Sequence, residues 1–333
     1  MNIQKILFIH QGMSTFIQKD FDILNEKSNV CDFIYLPSNS FTKNSIEQIR
    51  LFSWLSYHVW QCDYIFIWFA DYHSLLPTLI GKIFSKNVYL VLGGYDVISI
   101  PEIQYGSFYK PIRALCAYFS IRFSTLNLAV CDNIKKDALA RVPKAKIKIL
   151  YTGYSPSEFY IDLRVDKGNE VLTVAIANNK QRIRIKGLNI FLDVAKKLPE
   201  IKFTIVGIGT QGRKILGKVP NNVELVPILP KNKLLKYYQR TKVIALLSMR
   251  EGLPNVLCEA MLCGCIPIGF NNGGIPVAIG DAGYIVDSLR QDLLPGLIKE
   301  GIKATKDDEK RARNHIIKNF PMENRRIFLK NLN

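Results

Sequence analysis

Nine short apolar runs rich in Ile, Val and Phe recur along the chain with helix-length segments between them, and that alternation limits the fold more than any other feature. In the first half they are Ile6–Ile9, Tyr64–Ile67, Val88–Leu92 and Leu126–Val130. In the second they are Val171–Ala177, Lys202–Gly207, Val223–Val226, Val243–Leu247 and Ile266–Gly269. The runs are continuous rather than alternating with polar residues, so each strand is buried on both faces. That is the mark of parallel sheets covered by helices on both sides. Helical patterns fill the gaps, as at Leu188–Leu198 and Lys233–Arg240. Between Tyr154 and Gly168 this periodicity gives way to Gly, Pro, Ser and charges. The expectation is an α/β chain of two doubly wound domains, residues 1–160 and 161–314. A helix over 315–333 can pack back on the first domain. Ligands of such sheets bind outside the carboxyl ends of the strands, so the site is expected in a cleft between the domains.

A length of 333 residues suits two domains. The net charge is +17, and it is lopsided: 18 basic and 15 acidic residues precede residue 171, against 27 and 13 from there on. A basic surface points to an anionic partner: nucleotide phosphates, an anionic membrane or nucleic acid. The seven cysteines (Cys31, Cys62, Cys116, Cys131, Cys258, Cys263, Cys265) lie mostly in apolar runs. An odd, scattered set implies reduced thiols in a cytosol. Cys263-Gly-Cys265 has no second Cys/His pair to complete a metal site, which favours core packing. The apolar core of Met1–Ile9 is too short for a signal peptide. Leu51–Ala70 is interrupted by His58, Gln61 and Asp63 and is not expected to span a bilayer.

The most informative segment is Ser248-Met-Arg-Glu251-Gly252-Leu253-Pro254-Asn255-Val-Leu-Cys-Glu259-Ala-Met-Leu-Cys-Gly264. Pro254 suits a first helical turn and Gly264 a helix stop. Glu251 then lies on the loop before the helix, and Glu259 on its second turn. Carboxylates accept hydrogen bonds in pairs and vicinal sugar hydroxyls offer pairs, so two acids at this spacing can grip a polyol at both ends. Taken bare, the spacing fits equally a solvated turn residue and a helix-surface charge. Gly273-Gly274-Ile-Pro276 opens a further helix, where backbone N–H groups can receive phosphate; a plain turn is the alternative. Gly207-Ile-Gly209-Thr-Gln-Gly212 follows a strand and reads literally as G-x-G-x-x-G, with Glu224 seventeen residues past Gly207 as a ribose-binding acid. On its own this suggests an NAD-dependent oxidoreductase.

The ordered set of fragments, strongest from about Val171 to Asp287, resembles glycosyltransferase family 4, the retaining nucleotide-sugar enzymes of the GT-B fold. The fragments are Ile185-Lys186-Gly187, Phe203–Gly209, Ser248–Pro254, Glu259–Pro267, Gly273–Pro276 and Gly280–Asp287. The resemblance implies that Glu251 holds donor-sugar hydroxyls and Glu259 the ribose. It places Lys186 against the donor diphosphate with an upstream basic partner, Arg182 first and Lys180 second. Fixed cations there would stabilise leaving-group charge. Gly207, Gly252, Leu253, Pro254, Asn255, Gly273 and Gly274 fall on donor-binding positions. With Gly-x-Gly common at this point in the family, Gly212 reads as coincidence. Val277 stands where relatives often have an acid. In the first half, Gly12 in Gln11-Gly-Met-Ser14 matches the loop approaching the donor phosphates. Trp68-Phe-Ala-Asp71-Tyr-His73 and Gly93-Gly94-Tyr-Asp96 sit at strand ends and make Asp71, His73 and Asp96 acceptor-side candidates. Trp68 and Gly93 depart from the family's histidines. His73 reads equally as a polar residue at a helix start.

Tyr105–Phe123 mixes aromatics with Lys110, Arg113 and Arg122, as a membrane-surface helix does; a core helix with snorkelling cations fits as well. The resemblance implies a donor nucleotide sugar, a glycan or lipid-linked glycan acceptor, no metal or other cofactor, and no nucleic acid. It also implies a cytoplasmic enzyme, peripheral on the inner face of the membrane. Two alternatives stand beside it: the oxidoreductase, and a non-catalytic basic binder of membrane or nucleic acid.

Overall fold

The computed structural model describes residues 3–38 and 40–332, without the side chain of Phe41. Met1 and Asn2 of the amino-terminal apolar run, and Asn333 of the 315–333 segment, lie outside that description. The chain forms two compact units, one of residues 1–152 with 323–333, the other of residues 153–322.

The first unit runs β1 (Gln4–His10), α1 (Thr15–Asn25), β2 (Ser28–Ile34), α2 (Phe41–His58), β3 (Tyr64–Trp68), α3 (Tyr72–Ile83), β4 (Asn87–Leu92), α4 (Pro111–Phe123), β5 (Leu126–Ala129), α5 (Asp132–Arg141) and β6 (Ile147–Ile149). Its six parallel strands take the order β2-β1-β3-β4-β5-β6. Right-handed crossovers place α1 on one face of the sheet and α2, α3 and α4 on the other, where those three pack side by side. Ile6, Phe8, Ile9, Ile65, Phe66, Ile67, Leu90 and Val91 are wholly buried between the two helix layers.

The second unit runs β7 (Gly168–Val174), α6 (Lys180–Ile185), α7 (Leu188–Lys197), β8 (Lys202–Val206), α8 (Thr210–Leu216), β9 (Val223–Val226), α9 (Lys231–Arg240), β10 (Thr241–Leu246), α10 (Asn255–Leu262), β11 (Ile266–Phe270), α11 (Ile275–Ile279), β12 (Tyr284–Val286), α12 (Leu294–Ile302) and α13 (Lys306–Asn319). Its sheet is again parallel, in the order β12-β11-β10-β7-β8-β9. The nine apolar runs all appear as strands. The sequence reading missed β2, β6 and β12, and all three are edge strands. An edge strand is covered less completely than a central one, so it carries no continuous apolar run to find; β2 buries only Phe33 of its seven residues.

The last helix, α14 (Met322–Lys330), ends in the first unit, where Arg325 anchors it. Its guanidinium forms a two-pronged pair with Asp20 of α1 at 2.5 and 2.6 Å and donates to the carbonyls of Leu150 and Tyr151. Asp20 also accepts from the indole of Trp68 at 3.0 Å. Arg325, Asp20 and Trp68 are all buried. Every strong donor and acceptor in this cluster therefore has a partner, which a buried ion pair requires.

Candidate functional site

In the second unit the strand order reverses between β7 and β10, and the loops leaving their carboxyl ends diverge there. On the β7 side the chain enters α6, capped by Asn179, whose side chain accepts the Arg182 N–H at 2.8 Å. Ile183 and Ile185 are buried, and the helix ends at Lys186. Gly187 then turns the chain with φ +66°, and a Cβ there would lie 1.9 Å from the Leu247 carbonyl oxygen. Only glycine lets α6 end this close to the loop after β10. The Met249 N–H donates to the Ile185 carbonyl at 2.8 Å and ties the loops together. As a result the Lys186 ammonium sits 2.6 Å from a Glu251 carboxylate oxygen, with 27% and 16% of the two side chains exposed. Residues 182 and 186 are four apart and share a helix face, while 180 and 184 share another. Arg182, Lys180 and Arg184 are all exposed to solvent.

Glu251 is fixed through its backbone. Gly273, at φ +57°, brings the next loop so close that a Cβ would meet the Glu251 carbonyl oxygen at 2.2 Å. The Gly274 N–H donates to that same carbonyl at 3.1 Å, and the Ile275 N–H to Asn272 at 3.2 Å. These amides, expected to await a phosphate, already have acceptors inside the loop, and α11 behind them is only five residues long. The two glycines act here by positioning the acid.

Pro254 caps α10 from just outside, and Asn255 is its first residue, held by the Tyr154 hydroxyl at 2.8 Å. Leu253 is buried and Gly252 partly so. Gly264 takes φ +79° just past the helix end, as a stop residue should. Glu259, on the second turn, is 8% exposed among residues that are all buried, and the Tyr238 hydroxyl donates to it at 3.2 Å. Burial, and then the adjacent carboxylate, push the Tyr238 phenol well above its ordinary pKa, so it stays a neutral donor. Sequence reasoning missed Tyr238; its only signal was an aromatic on the buried side of a charged helix. Cys263 and Cys265 are also buried, and burial raises both thiols above their usual range, which makes them core residues of low reactivity.

Gly207 has φ +110°, and a Cβ on it would lie 2.5 Å from the Ala175 carbonyl oxygen. Gly212 is not a coincidence: a Cβ there would meet the Ala177 carbonyl oxygen at 2.4 Å, so the glycine lets α8 pack against the loop after β7. Glu224 does not fit the dinucleotide reading. It lies near the start of β9, opposite Thr204, in a salt bridge with Lys202 at 2.8 Å. A ribose-binding acid belongs at the other end of such a strand.

In the first unit the order reverses between β1 and β3. Gly12 follows β1 with φ +145°, open space where a side chain would stand, and its N–H on the His10 ring at 3.2 Å. Beside it Gln11 donates to Asp71 at 3.2 Å and contacts the His73 ring at 3.0 Å. Arg113 of α4 completes the cluster, 2.9 Å from Asp71 and 2.5 Å from the Tyr95 hydroxyl. The acceptor-side expectations need correction here. His73 is wholly buried; one ring nitrogen donates to the Trp68 carbonyl at 2.8 Å, which leaves the other to accept from Gln11. Burial lowers its pKa and keeps it neutral. Asp96 is wholly buried too, receiving the N–H groups of Ala70, Gly93 and Gly94. Burial outweighs those bonds and lifts its pKa to about 6. Both shape the loops after β3 and β4 and expose nothing to a substrate. Asp71 is 4% exposed and caps α3. Phe69, in the left-handed region at φ +70°, strains the same turn, and its ring fills the space where a Gly93 Cβ would stand. Gln11 and Arg113 were not singled out from the sequence, because nothing local links residues so far apart.

Residues 166–319 match the family model described as glycosyl transferases group 1. The amylovoran biosynthesis glycosyltransferase AmsD of Erwinia amylovora is 31% identical over 147 residues, 42% of this chain and 40% of AmsD, so the match spans well under two thirds of that relative. N-acetyl-alpha-D-glucosaminyl L-malate synthase of Bacillus anthracis is 29% identical over 284 residues, 78% of this chain and 71% of that one. Among solved structures, Anabaena HepE in complex with UDP-glucose superposes with a TM-score of 0.73 over 98% of each chain, at 16% identity. The fold is that of the GT-B glycosyltransferases, two α/β units each built on a six-stranded parallel sheet.

Proposed function

We propose that this chain, with the GT-B fold and a second unit matching the group 1 glycosyl transferases, is a retaining glycosyltransferase. It moves a sugar from a nucleotide-diphosphate donor to an acceptor hydroxyl. The observation that carries the reading is the contact between Lys186 and Glu251 at the strand-order reversal of the second unit, 2.6 Å long and partly open to solvent. One group suits a diphosphate and the other suits sugar hydroxyls. Glu259, steadied by Tyr238, takes the ribose.

In this reading the donor diphosphate accepts the Lys186 ammonium, with Arg182 one helical turn before it as the second cation. The bond from the anomeric carbon to the diphosphate oxygen breaks while charge grows on that oxygen, and the two cations stabilise it. The acceptor hydroxyl attacks from the same face, and its proton passes to a departing phosphate oxygen. No side-chain base is required, and the cations replace a metal. AmsD, named for amylovoran biosynthesis, and HepE, named with UDP-glucose, support a surface polysaccharide, lipopolysaccharide or glycolipid as the product class. A hexosyl or N-acetylhexosaminyl donor fits the same site, and the reaction belongs on the cytoplasmic side of the membrane. The test is turnover of nucleotide sugars in EDTA by the natural chain, Glu251→Ala and Lys186→Ala. Both variants are expected to lose transfer, and undiminished transfer by Lys186→Ala refutes its role.

A further inference from the structure

The helix layer α2–α4 of the first unit is built the wrong way round for a face that meets only water. α4 buries its small residues Ala117 and Ser120, with Ser120 held by the Ser74 hydroxyl, and leaves Ile112, Leu115 and Phe119 at 64%, 57% and 39% exposure. Their spacing of three and four puts them on one outward stripe. α2 buries Leu51 and Leu55 toward the sheet, yet Ile49, Phe52 and Tyr57 on its other side are more than half exposed. Trp60, just past its end, is 68% exposed and packs edge-on against Phe84 at the end of α3. Ile83 of α3, 75% exposed, lies next in the chain to Phe84. Lys82 reaches across to the ring of Phe123, which stacks on Phe119. The three helices thus present an outward surface of aliphatic and aromatic side chains knitted together by cations.

The charges choose the occupant. Among the described residues of these helices the cations are Lys43, Arg50, Lys82, Arg113 and Arg122, and the acid is Glu47, already paired with Arg50 at 2.7 Å. Arg113 turns inward to Asp71, which corrects its placement among the outward cations of the Tyr105–Phe123 segment. Lys110 stands exposed at the start of α4. Two copies of such a face would meet with like charges, so a second copy fits poorly. An apolar stripe with Trp and Tyr, rimmed by Lys and Arg and short of acids, suits the interface of an anionic bilayer. No helix among the described residues is long and apolar enough to cross a membrane, so contact would be with the surface.

We propose that the outer face of α2, α3 and α4 seats this chain on anionic lipid, with Trp60, Ile83, Leu115 and Phe119 entering the headgroup layer and Lys82, Lys110 and Arg122 pairing with lipid charge. This stands apart from sugar transfer: vesicle binding can succeed where transfer fails, and the reverse. The experiment is sedimentation of the full chain with phosphatidylcholine vesicles, with and without phosphatidylglycerol. Binding is expected to the mixed vesicles only and to weaken as salt rises. Each of Lys82→Gln, Lys110→Gln and Arg122→Gln should lower it roughly fivefold. The pair Trp60→Ser and Leu115→Ser should abolish it, with unchanged thermal unfolding because both side chains are already in water. Quenching of Trp60 by brominated lipid should disappear in Trp60→Phe. Absence of binding to phosphatidylglycerol vesicles, or binding untouched by the Trp60 and Leu115 changes, overturns the proposal. So does a self-association that those same changes dissolve, which would make a second copy the occupant.

Discussion

Lys186 and Glu251 neutralise each other, and that makes Glu251→Gln a more telling perturbation than a simple loss of function. Two unit charges about 3 Å apart attract by about 5 kcal/mol at an effective dielectric near 20. Both side chains are partly in water, which screens the pair to about 1 kcal/mol net. A nucleoside diphosphate must take the ammonium away from the carboxylate, so the pair opposes binding of the diphosphate alone. Glu251→Gln removes that competitor, and the free diphosphate should bind about fivefold tighter. The sugar loses charged hydrogen bonds worth about 1.5–3 kcal/mol each, so kcat/KM for the full donor should fall about 10- to 100-fold. Lys186→Met should do the opposite to the diphosphate, weakening it, and should lower kcat about 100- to 1000-fold as an electrostatic stabiliser is lost. A thermal-shift screen of UDP, GDP and ADP selects the ligand; calorimetric titration and turnover in EDTA then give the two numbers. If the diphosphate binds Glu251→Gln no more tightly than the natural chain, the ion pair does not guard the site and the reasoning fails.

Gly273→Ala places a methyl 2.2 Å from the Glu251 carbonyl oxygen and should shift that acid; transfer should drop at least about tenfold while free diphosphate affinity is kept, and a loss of diphosphate affinity instead would return the glycine to phosphate binding. Arg325→Met strands Asp20 as a buried charge and should destabilise the first unit by about 3–5 kcal/mol in urea unfolding, with part of the loss regained by adding Asp20→Asn; equal stability of the single variant and the natural chain contradicts the network. Asp96 is held at about 6 when folded, against an ordinary 3.8, so the native state keeps its proton longer than the unfolded chain does. Its contribution to stability is therefore greatest below about pH 4, falls by up to about 3 kcal/mol as pH rises to about 6, and is flat beyond. The unfolding free energy of the natural chain minus that of Asp96→Asn should trace that decline, and a difference that rises with pH contradicts it.

Sequence by itself determined the fold class, because the strands at the centre of each sheet are buried on both faces and must be written as continuous apolar runs. It could not reveal β2, β6 and β12, whose edge positions ask for no such run. It marked Glu251, Glu259 and Lys186, since the glycines and proline around them record tight turns that only those residues tolerate. Gly187 and Gly273 show why: each stands where a side chain would strike a carbonyl oxygen of a distant segment. The contact of Lys186 with Glu251, 65 positions apart, was decided by the reversal of strand order between β7 and β10. Tertiary packing alone set the fate of the polar residues in the first unit. Asp96 and His73 look like reactive groups at strand ends, but the loops fold over them and use up their hydrogen bonds. Arg113, which reads as one more surface cation, turns inward to a carboxylate 42 residues before it. Charge and polarity are local properties of a sequence; whether they face water, a ligand or one another depends on which surfaces the apolar core has drawn together.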